Sequence, residues 1–241
     1  MGEYLSDMRD WYPLFLEGLG VTVGVSIVTM ALSTALGFFL ALLRNVHATG
    51  PLRVLPALIR CYVDLFRGLP IIVTLFIIYF GLPTVGLEIS SNPIIAGTVG
   101  LTFTLSAYLS EVFRAALAAV DPGQMEAARA LGMSLPQAYR RIVAPQALLV
   151  AVPTLGGYFI GLLKDTSLLG FISVTELMRS AIVLVSDSFK PFEIYLTVGA
   201  IYLALSLIAS HAVSRIETRL RPLEKAYTGT EAPVLAPQLS L

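Results

Sequence analysis

Charge is scarce in this chain. Asp, Glu, Lys and Arg make up 13% of its 241 residues, against 56% apolar residues. A soluble domain carries about 25% charged residues. No charged residue falls between Glu17 and Arg44, Arg67 and Glu88, Glu88 and Glu111, Arg141 and Lys164, or Glu193 and Arg215. Each gap is near or above the roughly 20 residues a helix needs to cross a bilayer core. Five such segments would leave too little polar surface to cover them in water. The sequence therefore predicts an all-α, polytopic membrane protein held among membrane lipids. Cysteine is nearly absent: Cys61 alone excludes an internal disulfide framework and a Cys-built metal site. The net charge is zero, which gives a nucleic-acid partner no footing. His47 and His211 stand isolated, so no metal site and no cofactor is expected. There is no His-Glu-x-x-His or Gly-x-Ser-x-Gly run and no Ser–His pair at usable spacing, which argues against an intramembrane enzyme. The chain also lacks a Gly-x-x-x-x-Gly-Lys-Ser/Thr loop, so ATP hydrolysis would have to come from a partner.

The candidate spans are Leu19–Leu43, Leu69–Gly86, Pro93–Leu109, Ala147–Leu163 and Ile194–Val213. The start, Met-Gly-Glu-Tyr-Leu-Ser-Asp, has no basic leader, so the first span is expected to stay in the mature protein. Arg44, Arg53, Arg60, Arg67, Arg114, Arg129, Arg140, Arg141, Arg215, Arg219, Arg221 and Lys225 fall on one side of these spans; Arg9, Lys164, Arg179 and Lys190 fall on the other. The positive-inside rule makes the richer side cytoplasmic, with the N-terminus out and the C-terminus in. The expected organisation is an external segment over 1–17, a transmembrane domain over 18–215 and a cytoplasmic tail over 216–241, disordered at its end. Leu52 to Phe66 reads as an amphipathic helix at the cytoplasmic face. Phe171 to Phe189 is too short and too charged to span, and suggests a bent or re-entrant element on the outer side.

The loop over 121–146 is the most informative stretch. Asp121 is an N-cap candidate with Pro122 at the first helical position. Gln124 to Leu131 favours helix, and Gly132 suits a C-terminal stop. Ser134 and Gln137 have capping-box spacing for a second short helix, and Pro145 marks its end or a kink before the fourth span. On spacing alone this is an ordinary helical hairpin linking two spans, or a docking knob.

These residues resemble a known family. Glu126-Ala127-Ala128, then Gly132, then Ile142-Val143-Ala144-Pro145, is similar to the EAA loop of ABC importer permeases. Phe66-Arg67-Gly68-Leu69-Pro70 with Tyr79-Phe80-Gly81-Leu82-Pro83 resembles the polar amino-acid permeases. So do Ala107 to Arg114 and Lys164-Asp165-Thr166-Ser167-Leu168 followed by Glu176-Leu177. The likeness covers about Gly18 to Arg215; Leu69 and Ala144 depart from the usual Thr and Leu. The resemblance implies a type I importer permease fold in the inner membrane, with Glu126, Ala127, Ala128 and Gly132 in the helix that couples to the ATPase. It implies two ATP-binding subunits, a second permease that is identical or homologous, and an external solute-binding protein. The solute would be an amino acid or similar small polar molecule, with an opine or compatible solute as alternatives.

Polar residues at span ends complete the picture. Lys164, Asp165, Thr166 and Ser167 form either a solvated helix end or a helix break lining the solute path. The resemblance favours the path, with Asp165 on an amino group and Thr166 and Ser167 as hydrogen-bond partners. Tyr158, two helical turns earlier, shares the face of Asp165 or packs on the partner subunit. Glu111 and Arg114 are spaced to pair along one helix. Arg67, with Gly68 and Pro70, is expected to anchor the start of span two at the interface. Gly156, Gly157 and Gly161 offer small residues for close helix packing. A secondary, ion-coupled transporter is the other functional class, although such folds usually need more spans and internal repeats, and none is seen.

Overall fold

The fold is given by a computed structural model, which describes residues 2–44 and 54–228. His47, Leu52, Arg53 and the tail from residue 229 onward lie outside the described residues.

Helix α1 runs over Gly2–Arg44. The expected external segment is thus a continuation of the first span rather than a separate piece. The reason is a single buried stripe: Trp11, Phe15, Gly18, Thr22, Ser26, Thr29 and Ser33 are all buried and recur every three or four residues. Most of that stripe is small and polar, which lets a neighbouring backbone come close. A Cβ on Gly37 would sit 2.9 Å from Leu109 Cβ and 3.0 Å from the Ser106 carbonyl.

The neighbour is α4, Pro93–Ala119, the central helix. Asn92 caps it, its side-chain oxygen accepting from the Ile94 amide at 2.9 Å. At 1.5 Å per residue it is about 40 Å long, enough to cross a core of about 30 Å. One face of α4 carries Leu101, Leu105, Leu109, Phe113 and Ala116 into the main core, which it shares with Val25, Leu75, Ala147, Ala151 and Leu162.

Between α1 and α4 the chain departs from expectation. Helix α2, Leu55–Gly68, is followed by extended backbone at Leu69 and Pro70, then by α3, Ile71–Phe76. Helical structure continues through a π turn at Ile77–Gly81 and a last turn at Leu82–Thr84. The two arms meet at a bend of 109° and only together are apolar enough to make one broken span. Helix α2 packs on α4. Tyr62 is hydrogen-bonded to the Phe103 carbonyl at 2.9 Å and to the Ser106 hydroxyl at 2.7 Å, and Phe66 packs on the Phe103 ring with centroids 5.6 Å apart. Its apolar face, with buried Ile59 and Val63, packs into the helix bundle.

After α4 come α5, Pro122–Ala130, and the four-residue α6, Leu135–Ala138. The second short helix is not free-standing, as expected, but runs through a π turn at Tyr139–Val143 straight into α7, Ala144–Asp165. Both π turns end two residues before a proline, Pro83 and Pro145. A proline has no N–H for the carbonyl four residues back, and its ring crowds that carbonyl; the preceding turn widens instead of breaking.

Helix α7 tightens into a 3₁₀ stretch, Thr166–Ile172, that ends at Ser173 in the left-handed region, φ 69°. Helix α8, Leu177–Ser188, follows and closes at Phe189, φ 57°. This is the bent element expected over 171–189. A second core of Trp11, Phe15, Leu177, Ala181, Ile194 and Val198 packs α8 against α1 and α9. Helix α9 runs over Pro191–Thr228, so residues 216–228 of the expected tail continue the last span as helix. The described chain thus has four helices long and apolar enough to cross a membrane, and a fifth span if the bent α2–α3 pair counts as one.

Candidate functional site

Two sites emerge from this frame. The first is a cavity of about 240 Å³ between α3, α4 and α7, lined by Ile71, Leu101, Thr104, Leu105, Tyr108, Tyr158, Leu162 and Asp165. That is room for one small solute rather than a drug-sized ligand. The lining is apolar except for a carboxylate, a threonine and two tyrosines. The tyrosine rings pack with centroids 6.1 Å apart. Asp165 sits where α7 gives way to the 3₁₀ stretch, and among the described residues no donor hydrogen-bonds its carboxylate.

The structure brings Asp165 and Tyr158 to this one cavity. It does not bring Lys164, Thr166 or Ser167 to its wall. Lys164 is exposed. Thr166 is fully buried, and its hydroxyl donates to the Leu163 carbonyl at 2.9 Å, closing the helix end instead of reaching a solute. The helical period explains this: residues 165 and 158 share a face, and 164, 166 and 167 do not. Arg67 is exposed. It stands at the α2–α3 bend with its guanidinium carbon 5.6 Å from the centroid of Tyr108, near the middle of α4, and the Tyr108 hydroxyl donates to the Arg67 carbonyl at 3.2 Å. Gly68 and Pro70 flank that bend, Pro70 as the residue before α3.

The second site is the hairpin at 121–146. The Asp121 side chain accepts from the Gly123 amide at 2.8 Å, and the Gln137 side chain accepts from the Ser134 amide at 3.0 Å. Gly132 has φ 77°, and a Cβ there would meet nothing within 4 Å, so the positive φ alone requires glycine. Ala128 is fully buried, while Glu126 and Ala127 are exposed, as is Leu131 at 81%. The hairpin is therefore capped at both helices and presents one face of α5 outward. On α4, Glu111 pairs with Arg114 at 2.7 Å and also with Arg44 of α1.

A family described as the binding-protein-dependent transport system inner membrane component matches residues 33–222. The chain belongs to this family. Such permeases are multi-pass proteins of the inner membrane. Its relatives include the probable amino-acid permease protein YxeN of Bacillus subtilis, 40% identical over 83% of this chain and 91% of the relative. The probable glutamine ABC transporter permease protein GlnM of Bacillus subtilis is 35% identical over 92% and 99%. A crystal structure of an amino acid ABC transporter with histidines superposes with a TM-score of 0.80 at 35% identity, covering 90% of this chain and 98% of that one. The MetNI methionine transporter shares the fold, with a TM-score of 0.71 at 22% identity over 86% and 96%.

Several residues of this permease escaped sequence reasoning. Thr104 and Tyr108 lie one helical turn apart on α4, a spacing that could have flagged a shared face with Tyr158. Arg44 closes the first apolar gap, but its pairing with Glu111 was not foreseen. Glu176 was noticed only as part of a motif. It is fully buried and caps α8, accepting from the Met178 and Arg179 amides at 2.8 and 2.7 Å and from the Tyr202 hydroxyl at 3.0 Å. Burial pushes its carboxyl up, against the pull of these hydrogen bonds.

Proposed function

We propose that this permease carries an amino acid or similar small polar solute through an ATP-driven importer, and that the cavity at Asp165 is its solute site. The observation that carries the reading is an ionisable residue where α7 gives way to the 3₁₀ stretch, free of hydrogen bonds from the described residues, on the wall of a small cavity between spans. Ionisable groups within membrane spans are costly and mark solute paths. Asp165 holds the ammonium group. Tyr158 contributes an aromatic wall without full charge, which suits a neutral or acidic side chain, or broad specificity. The face of α5 that carries Glu126 and Ala127, with Leu131 just after it, seats on one of two ATP-binding subunits. A second permease completes the path, and an external solute-binding protein delivers the solute.

Asp165→Asn is nearly isosteric and removes the charge alone. We expect amino-acid uptake by the assembled transporter to fall by about 100-fold with assembly intact, the scale of losing a charge-assisted contact. Tyr158→Glu shifts preference toward basic amino acids. Unchanged uptake in Asp165→Asn removes the residue from the site, and wild-type uptake confined to arginine or lysine contradicts the specificity.

The same reading has Met1 outside and Leu241 inside, on the bias of Lys and Arg toward one side. Cys61 is exposed, so the check uses Cys61→Ser with a cysteine introduced by Thr230→Cys. In sealed cells, labelling by an impermeant maleimide requires permeabilisation. Labelling without it reverses the orientation and with it the coupling assignment.

A further inference from the structure

The groove between α4 and α7 does not end at the two tyrosines of the cavity. A second, larger depression of about 550 Å³ lies between the same two helices, closer to the hairpin. Its lining continues that of the cavity by whole helical turns. On α4, Thr104 and Tyr108 of the cavity are followed by Glu111, Val112 and Ala115 of the depression. On α7, Asp165 and Tyr158 of the cavity are preceded by Thr154 and Val150 of the depression. The two hollows thus share one face of each helix. Tyr108 and Tyr158 stand between them, with ring centroids 6.1 Å apart. The depression is open and polar at its rim, where it carries the Glu111–Arg114 pair and the exposed Thr154.

The two rings are held unequally. The Tyr108 hydroxyl donates to the Arg67 carbonyl at 3.2 Å, and the Arg67 guanidinium lies over its ring. Among the described residues nothing hydrogen-bonds the Tyr158 hydroxyl. Tyr158 rides on α7, which runs without a break from the second short helix of the hairpin through the π turn. Pro153 interrupts the hydrogen bonding of α7 between the hairpin and Tyr158. It has no N–H for the Leu149 carbonyl, so the helix bends most easily just over one turn before Tyr158.

We propose that Tyr108 and Tyr158 form a gate between the solute cavity and an exit vestibule on the hairpin side, with Tyr108 as the fixed post and Tyr158 as the leaf that moves with α7. This rests on the reading of the cavity as the solute site. A single aromatic contact suits a gate, because it fills space yet is weak enough to break and re-form in each cycle. The solute leaves the cavity between the parted rings and enters a vestibule wetted by Glu111, Arg114 and Thr154.

The test uses the complete transporter in inside-out membrane vesicles, with Cys61→Ser to remove the native thiol. Ile71→Cys places a thiol on the cavity wall, and Thr154→Cys places one in the vestibule. The readout is the rate of labelling by an impermeant maleimide. Thr154→Cys labels fast and Ile71→Cys slowly. Adding Tyr158→Ala speeds Ile71→Cys by about tenfold, the scale of one lost aromatic contact, and leaves Thr154→Cys unchanged. Tyr108→Ala has the same effect and serves if Tyr158→Ala fails to assemble. Tyr158→Phe keeps the ring and keeps Ile71→Cys slow. Pro153→Ala returns an N–H to α7, slows Ile71→Cys further and leaves solute binding at the wild-type level. Ile71→Cys labelling as fast as Thr154→Cys with both tyrosines present, or unmoved by either alanine, overturns the gate. A slow Thr154→Cys overturns the vestibule, and an Ile71→Cys rate unmoved by Pro153→Ala overturns the moving leaf. The cavity is judged separately, by protection of Ile71→Cys with the twenty standard L-amino acids. Protection by at least one of them upholds the solute site whatever becomes of the gate, and protection by none, with or without Tyr158→Ala, overturns the cavity reading itself.

Discussion

The hairpin at 121–146 and the Asp165 end of α7 are joined by one run of helix, yet they are specified in opposite ways. The hairpin is built from contacts two to five residues apart: Asp121 on Gly123, Gln137 on Ser134, and Gly132 at φ 77°. The cavity is built from residues on three elements, with Tyr108 and Tyr158 meeting from α4 and α7. Local chemistry makes a rigid knob that needs no knowledge of the rest of the chain. The cavity exists only because α3, α4 and α7 pack around it. On the proposed reading, the contrast fits a transporter in which the hairpin transmits force as a solid piece while the cavity changes with the packing of helices.

That contrast can be attacked by substitution, beginning where the tertiary network is densest. Glu176→Ala removes the acceptor for two backbone amides and the Tyr202 hydroxyl in a fully buried place. We expect a loss of about 3 kcal/mol, read as a marked fall in melting temperature of the purified transporter. Glu176→Gln keeps an acceptor and costs less. An unchanged melting temperature in Glu176→Ala would mean that long-range contacts matter less than the comparison holds. Asp121→Ala removes a local cap on an exposed turn and costs about 1 kcal/mol. Its effect on melting is small, and its effect on coupling exceeds its effect on solute binding. If the cap mutant melted lower than Glu176→Ala, the order would be reversed.

The same contrast explains what could be read from sequence. The spans, the Asp121 cap, the Gly132 stop and the Glu111–Arg114 pair are all local, and all are legible there. The apolar gaps located α4, α7 and α9 to within a turn at their entries or exits, but the charged residues hid how far α4 and α9 continue. A charge such as Glu111 or Arg215 ends an apolar gap without ending a helix. The α2–α3 bend was missed because Leu52 to Phe66 has a surface-helix pattern, and only packing of Tyr62 and Phe66 on α4 draws it inward. In the candidate site, Asp165 and Tyr158 were legible because one helix carries both. Thr104, Tyr108 and the packing of Arg67 on the Tyr108 ring were not, because their proximity depends on how α2, α3 and α4 dock. Thr166 was misread because its hydroxyl has a local alternative in the Leu163 carbonyl.

The most direct test of the division between coupling knob and solute cavity is solute-stimulated ATP hydrolysis by the assembled transporter carrying Gly132→Val, with amino-acid binding measured on the same sample. Valine tolerates φ 77° poorly, at a cost of roughly 1–2 kcal/mol confined to the turn after α5. The account predicts that solute binding stays at the wild-type level while stimulation is lost, and that Gly132→Ala, with no β-branch, loses less. Full stimulation in Gly132→Val, or a loss of solute binding equal to the loss of stimulation, would contradict it.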